Sequence, residues 1–127
     1  MTVVRLPARA GAVTRAIAAV RRHAEVHELP EEAADRLVIV AEEWVINILD
    51  HSGAAPQSRI VLALSHADGR LRLTISDAGR PFDPCAVEDA GPNPDRGGGA
   101  GIAVIRTWCE MTYARRGRRN RLVLDLR

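Results

Sequence analysis

The stretch AEEWVINILDHSG, residues 41–53, combines an apolar helix face with a regular row of polar side chains. Glu43, Asn47 and His51 recur every four positions. On an α-helix such residues share one side, each about 40° on from the last. The ordinary explanation of such a row is a helix edge that faces solvent. The neighbouring motifs decide whether these residues also have a function.

The residues before and around this stretch predict two helices. Apolar residues at helical spacing predict the first over about residues 9–27, with an inward face of Val13, Ile17, Val20 and Ala24. Pro30 followed by Glu31 and Glu32 is a helix-start signal, because acidic side chains are favoured in the first turn. The second helix is predicted from about Glu31 to Asp50, with an apolar stripe of Leu37, Val40, Ala41, Trp44, Val45, Ile48 and Leu49.

The other segments predict strands, one long loop and a third helix. TVVRL, residues 2–6, is typical of an edge strand, and residues 58–67 and 70–78 predict a hairpin that turns at Asp68-Gly69. Residues 78–101 show no periodicity, which indicates a functional lid or a disordered segment. A helix with Ile102 and Ile105 facing inward is predicted next, and two strands close the chain.

The order of these elements, β-α-α-β-β-loop-α-β-β, predicts an α+β fold. We expect a two-layer sandwich in which the helices cover one face of a mixed, mostly antiparallel sheet. With 127 residues the chain is expected to form one domain over residues 1–127.

Charge and composition exclude several classes of protein. The net charge of +2 is too small to indicate a nucleic-acid partner, and the absence of Lys excludes a P-loop. No apolar run is long enough for a membrane span, and Arg5 and Arg9 interrupt any signal-type segment, so a cytoplasmic location is expected. Cys85 and Cys109 are isolated in sequence, and no His/Cys cluster predicts a zinc site.

Two further motifs carry groups suited to a ligand. In DAGRPFDP, residues 77–84, Asp77 offers a carboxylate to an exocyclic amine, and Gly79 allows backbone to approach a flat ligand. An ordinary turn has the same composition. In RGGGAGIAVI, residues 96–105, glycines lead directly into a helix, where free N–H groups and the helix dipole favour an anion. A flexible linker is the alternative there.

The three motifs stand in a fixed order: Glu-x3-Asn on a helix, Asp-x-Gly after a strand, and Gly-x-Gly opening a helix. This order resembles the Bergerat-type ATP-binding fold shared by gyrase, the ninety-kilodalton heat-shock chaperones, histidine kinases and MutL. Within that superfamily, Glu-x3-Asn-x3-His, DAGRPFDP and GGGAGIAVI look most like the anti-sigma factor serine/threonine kinases of bacterial partner switching. The resemblance covers nearly the whole chain.

The resemblance implies a role for each motif residue. Glu43 matches the carboxylate that activates the attacking hydroxyl, and Asn47 matches the Asn that holds Mg²⁺ against the phosphates. Asp77 matches the Asp that reads adenine, with Gly79 as its close-approach partner. The glycine box comprises the phosphate-contacting Gly97, Gly99 and Gly101, followed by Ile102 where the family usually has Leu. Pro81 to Ala100 match the lid.

The resemblance also implies an activity and partners. It implies an ATP- and Mg²⁺-dependent protein serine/threonine kinase that phosphorylates an anti-sigma factor antagonist of the STAS type, sequesters a sigma factor and forms a homodimer. The alternative is a nucleotide-binding module that sequesters its partner without chemistry. The catalytic half of a histidine kinase is disfavoured, because no helix pair carries a phosphoaccepting His, and His23 and His27 are expected at the surface.

Other residues are expected to be structural. Trp44 is expected in the core, and His51 is expected to bond a nearby loop. Arg106 is expected on a solvated helix face, and a solvated hairpin tip is expected for Arg115, Arg116, Arg118, Arg119 and Arg121. The chain departs from its relatives near the adenine position, where a Gly-Thr segment usually supplies a hydroxyl. Asn120 stands there instead, and Thr112 lies on the preceding strand.

Overall fold

A computed structural model, which describes residues 1–86 and 99–127, shows the elements in the predicted order. Its three helices are α1 (Ala12–Val26), α2 (Glu31–His51) and α3 (Gly99–Trp108). Its strands are β1 (Thr2–Pro7), β2 (Arg59–Ala67), β3 (Arg70–Asp77), β4 (Cys109–Arg116) and β5 (Arg119–Leu126). A short 3₁₀ turn, Pro84–Ala86, follows β3. The predicted α+β fold is confirmed.

The five strands form one sheet in the order β1-β2-β3-β5-β4. Each neighbouring pair of described strands is antiparallel, and β1 lies at the edge as predicted. Between β2 and β3 the chain turns at Asp68 and Gly69, whose φ angles are 54° and 77°. Positive φ at both central residues defines the hairpin turn whose twist matches the strands, which confirms this turn prediction.

Cross-strand rows of apolar side chains cover the face of the sheet on which the helices pack. Leu62, Ile75 and Leu122 are aligned across β2, β3 and β5, and all three are buried. Leu64, Leu73 and Leu124 form a second such row. These rows join the apolar faces of α1, α2 and α3 in one hydrophobic core. Burying each such side chain stabilises the fold by about 1.5–3 kcal/mol.

In the first half of α1 the inward face lies one position earlier than predicted, whereas Val20 and Ala24 are buried as predicted. Ala12 and Ala16 are buried with Val20, whereas Val13 and Ile17 are only partly buried. Small alanine side chains let the helix approach the core closely, so that the larger residues flank the contact instead of filling it. None of the helices described in residues 1–86 and 99–127 has the length and apolarity needed to cross a membrane.

His23 of α1 does not lie at the surface as the sequence predicts. His23 is 2% exposed, because the buried face of α1 carries it toward β1, where its Nδ1 shares a hydrogen bond of 2.7 Å with the Thr2 hydroxyl. His27 is exposed as expected. His66 of β2 lies beside both, so a histidine cluster exists that sequence spacing did not reveal. The sequence, in which no His/Cys spacing suggests a zinc site, therefore did not predict this cluster.

Candidate functional site

Asp77 is the last residue of β3 and follows the buried positions of that strand. Its side chain is 2% exposed, and its Oδ1 accepts hydrogen bonds from the Gly79 backbone N–H at 2.8 Å and from Asn120 Nδ2 at 3.1 Å. Among the described residues, both hydrogen-bond donors to this carboxylate bind the same oxygen, Oδ1. The other oxygen, Oδ2, keeps its acceptor capacity for a ligand.

Asn120 organises the turn that follows Asp77. It is directly opposite Asp77 in the register of β3 and β5, and its Nδ2 also donates to the Arg80 carbonyl at 2.7 Å. Its Oδ1 accepts hydrogen bonds from the Tyr113 hydroxyl and from Arg115 Nη1. The departure noted in the sequence thus places a buried amide against the predicted adenine-reading carboxylate.

Two arginines of the last hairpin form hydrogen bonds to neighbouring parts of the fold. Arg115 Nη1 donates to the Gly79 carbonyl at 2.7 Å, because Arg115 is opposite Asn120 in the register of β4 and β5. Arg119 donates to the Ser76 hydroxyl and to the Arg59 carbonyl, each at 2.8 Å. Arg115 is exposed as predicted, although its guanidinium is also hydrogen-bonded, whereas the prediction of a solvated side chain is wrong for the partly buried Arg119. The cross-strand position opposite Asn120 is the sequence signal that could have found Arg115.

The end of α2 packs directly on the turn after β3. A Cβ added at Gly79 would lie 2.4 Å from Ser52 Cβ and 2.8 Å from the Ser52 carbonyl oxygen, so only glycine permits this approach. The Arg80 backbone N–H donates to the same carbonyl at 2.8 Å. His51 contacts this loop through its backbone carbonyl, which accepts from the Arg80 guanidinium, whereas its imidazole is exposed and does not make the predicted bond to a described residue of the loop.

Glu43 lies nearer the middle of α2, where this helix packs against α3. It is half-buried, and a Cβ added at Gly101 would lie 2.5 Å from its Oε2. The carboxylate therefore contacts the first turn of α3. Asn47 is half-buried one turn later on α2, between Glu43 and Ser52. From Glu43 to Ser52 the helix extends about 14 Å.

The glycine box is described in part. Gly99 begins α3 and Gly101 lies in its first turn, where backbone N–H groups lack intrahelical partners. Ile102 is 6% exposed and packs in the core, so a ligand could meet only its backbone. Gly97 lies outside the described residues, as do residues 87–98 of the predicted lid.

The start of the predicted lid is attached to α2 and α3. Phe82 stacks on Trp44 with ring centroids 6.2 Å apart, and Trp44 is a buried core residue as predicted. Arg106 Nη2 donates to the carbonyls of Pro84 at 2.9 Å and Cys85 at 3.3 Å. The expectation that Arg106 is merely solvated is wrong, because the short turn Pro84–Ala86 lies within its reach.

Comparison with known proteins defines the class of this domain. A family model of the histidine kinase-like ATPase domain matches residues 6–126, and the chain belongs to that family. An ATPase domain of this family binds a nucleotide. The resemblance drawn from the motifs is confirmed at the level of family and fold. No curated protein sequence matches the chain.

Solved structures share the fold at low identity. The chain is similar to the RsbU and RsbW domains of Rv1364c from Mycobacterium tuberculosis, with a TM-score of 0.69 and 18% identity over 100% of this chain and 32% of that one. It is similar to the SiaB-SiaC complex from Pseudomonas aeruginosa, with a TM-score of 0.67 and 16% identity over 99% and 89%. It is also similar to the histidine kinase domain of a blue-light activated histidine kinase from Erythrobacter litoralis. The TM-score is 0.58, with 17% identity over 95% of this chain and 61% of that one. The chain thus spans about a third of the first of these structures and under two thirds of the last.

The residues brought together fit a nucleotide with its metal. Asp77 is a fixed carboxylate with a free acceptor oxygen, which suits an exocyclic amine. The opening of α3 supplies N–H donors for phosphate. The Asn47 amide offers a neutral oxygen ligand of the kind that Mg²⁺ accepts beside phosphate oxygens.

Proposed function

We propose that this chain is an ATP-dependent protein serine/threonine kinase of the partner-switching type, which phosphorylates an anti-sigma factor antagonist and sequesters a sigma factor. The contact between Glu43 and Gly101 carries this proposal. It supports the role of a catalytic base, since a carboxylate lies beside the glycine-rich helix start at which phosphate is expected. A binding module without chemistry has no need of a carboxylate at that position.

In the proposed reaction each residue of the site has one role. Asp77 Oδ2 accepts the exocyclic amine of adenine, and the first N–H groups of α3 bind phosphate oxygens. The Asn47 amide oxygen would hold Mg²⁺, which when bound neutralises charge on the phosphates. Glu43 accepts the proton of the attacking serine or threonine hydroxyl as the oxygen–phosphorus bond forms and ADP leaves. Most of the catalysis is positioning and electrostatic stabilisation.

The partners follow from the same proposal. Similarity to a structure that contains an RsbW domain and to the SiaB-SiaC complex supports a kinase that works in complex with a small protein. We propose a STAS-type antagonist as the phosphoacceptor, a sigma factor as the sequestered protein and a homodimer as the active form. A kinase with these partners acts in the cytoplasm.

The test measures phosphate transfer from ATP labelled at the γ-position to a purified STAS-type antagonist protein. We expect Mg²⁺-dependent labelling of one serine or threonine, with a rate reduced about 100-fold or more in Glu43→Gln. Glu42→Gln is the matched control, since Glu42 is the preceding residue on α2 and has no assigned role. Nucleotide affinity is measured in parallel by calorimetry.

The results separate the two functions. Loss of transfer in Glu43→Gln with unchanged nucleotide affinity supports the kinase. Nucleotide and antagonist binding without transfer would overturn the kinase in favour of the sequestration module. Transfer at equal rates in wild type and Glu43→Gln would overturn the role of Glu43 as catalytic base.

A further inference from the structure

Three of the four histidines of the chain converge at the end of α1 and β2. His23 and His27 are one helical turn apart on α1 and at its C-terminal boundary, so their side chains share a face. His66 approaches from β2, against which α1 packs. The ring centroid of His27 lies 4.3 Å from that of His23 and 4.6 Å from that of His66. One ligand nitrogen from each ring lies within 4.8 Å of the other two.

This histidine cluster (His23, His27 and His66) is far from the nucleotide site. His66 is opposite Leu71 in the register of β2 and β3, whereas Asp77 ends β3 six residues later. At the rise of an antiparallel strand, six residues correspond to about 20 Å. The two groups therefore lie at opposite ends of β3 and share no residue.

An unsatisfied buried atom points to a ligand at the histidine cluster. His23 is 2% exposed, and its Nε2 has no hydrogen-bond partner among the described residues. Leaving such a group unpaired costs about 1–3 kcal/mol. On the other side of the ring, Nδ1 is hydrogen-bonded to the Thr2 hydroxyl at 2.7 Å. With Nδ1–H as donor to Thr2, Nε2 carries a free lone pair, which is how ligating histidines are held by a second hydrogen bond.

Burial disfavours the charged form of the His23 imidazole. Burial lowers the pKa of His23, and the neighbouring His27 and His66 lower it further. Neutral imidazole is the metal-binding form. The ligand nitrogens lie within 4.8 Å of one another, whereas a tetrahedral site with zinc–nitrogen bonds of 2.0–2.1 Å needs them about 3.3 Å apart. Binding therefore requires the exposed side chains of His27 and His66 to turn toward His23.

We propose that His23, His27 and His66 bind one divalent transition-metal ion of the Zn²⁺ class, with a fourth position open to water. Three imidazoles suit borderline cations and not Mg²⁺, which requires oxygen ligands and octahedral geometry. This metal is distinct from the one proposed at Asn47 in both chemistry and place. The proposal does not depend on the kinase function.

The test titrates Zn²⁺ into the tag-free full chain without nucleotide, with calorimetry and competition against a chromophoric chelator. We expect one Zn²⁺ per chain, an affinity unaffected by millimolar Mg²⁺, and a loss of more than about 10-fold in His27→Gln and in His66→Gln. These variants change exposed residues, so folding is retained. His51→Gln, which changes the fourth histidine, is the matched control and keeps wild-type affinity.

Cobalt provides an independent readout. Co²⁺ bound to the wild type and to His51→Gln should give the visible absorption of low-coordinate, nitrogen-ligated cobalt, and His66→Gln should not. A Cys85→Ser background removes the exposed thiol as a competing ligand. Absence of saturable binding, displacement by Mg²⁺, or equal affinity in wild type and His66→Gln would overturn the proposal.

Discussion

Asp77 and Asn47 are expected to hold different parts of the same nucleotide. In Asp77→Asn, Oδ1 can still accept from Gly79 and Asn120, but an amide donor replaces the free acceptor Oδ2. Loss of a hydrogen bond to a charged group costs about 1.5–3 kcal/mol, so ATP affinity should fall about 10- to 100-fold with or without Mg²⁺. Asn47→Ala should remove only the Mg²⁺-dependent part of the affinity. Calorimetry with and without Mg²⁺ measures both effects.

Asp125→Asn is the control for this pair, because Asp125 forms an ion pair with Arg72 on the opposite face of β5. Its ATP affinity should equal that of the wild type. The same affinity in wild type, Asp77→Asn and Asn47→Ala would contradict the site.

Gly101 is expected to control the position of the Glu43 carboxylate. An alanine Cβ there would lie 2.5 Å from Glu43 Oε2, and the end of a flexible side chain yields more easily than the helix backbone. Alanine is favoured over glycine in a helix by about 1 kcal/mol, so Gly101→Ala should fold normally. A misplacement near 1 Å costs about 100-fold in rate, and transfer should fall by that order.

Urea unfolding and the phosphotransfer assay together check the Gly101 prediction. Ala103→Gly, in the same helix, is the control for stability and should weaken the fold with little effect on the rate per folded molecule. Full activity in Gly101→Ala would show that Glu43 needs no fixed position.

Cys109 should make folding stability depend on pH in alkaline solution. Burial raises the pKa of this thiol to about 11, from 9.0. The folded state therefore holds the proton between these values while the unfolded state releases it, so stability present below pH 9 is lost as the pH rises through 11. A pKa raised this far stabilises the folded state by roughly 2–3 kcal/mol below pH 9. The free energy of unfolding of the wild type relative to Cys109→Ala should therefore fall by that amount between pH 9 and pH 11. A difference that stays constant over this pH range would contradict the prediction.

At the scale of elements, the contact between the end of α2 and the turn after β3 is expected to be sensitive to one methyl group. Gly79→Ala would place Cβ against the Ser52 side chain and carbonyl, and overpacking of this kind costs about 1–3 kcal/mol. Displacing the turn also moves the N–H that fixes Asp77 Oδ1, so ATP affinity should fall with stability. Thermal unfolding and calorimetry measure the two effects.

Gly69→Ala separates strain from function at this scale. Gly69 has φ +77° with open space around its Cβ position, so alanine there causes backbone strain of about 1–2 kcal/mol without a clash. Stability should fall in this variant while ATP affinity is retained. A Gly79→Ala protein with wild-type affinity would show that the α2–β3 contact does not position Asp77.

Element types could be predicted because their signals are local. The apolar stripe of α2, the Asp68-Gly69 turn and the alternation in β3 each lie within a short window, and all appear in the structure. Contacts set by register could not be predicted in this way. Arg115 meets Gly79 only because β5, its hairpin partner, pairs with the distant strand β3, and His66 meets His23 only because α1 packs on β2.

The whole sheet separates two kinds of site. At one end, β3 and β5 place Asp77 beside Asn120 at the proposed nucleotide site, and the sequence motifs predicted Asp77 there. At the other end, the histidine cluster draws one residue from β2 and two from α1 or its boundary, none in a motif. A metal there would join α1 to the sheet without altering the nucleotide end.

Labelling of Cys109 is expected to report unfolding of the whole molecule. Cys109 is 2% exposed within the single described core that all three helices share with the sheet, so a thiol reagent reaches it only after that core opens. In a Cys85→Ser background, its labelling rate at pH 8 divided by the rate for the unfolded chain gives an opening free energy. This value should equal the free energy of global unfolding and fall with urea at the same slope. An opening energy several kcal/mol smaller, with a shallow urea dependence, would instead show that β4 separates locally from the edge of the sheet.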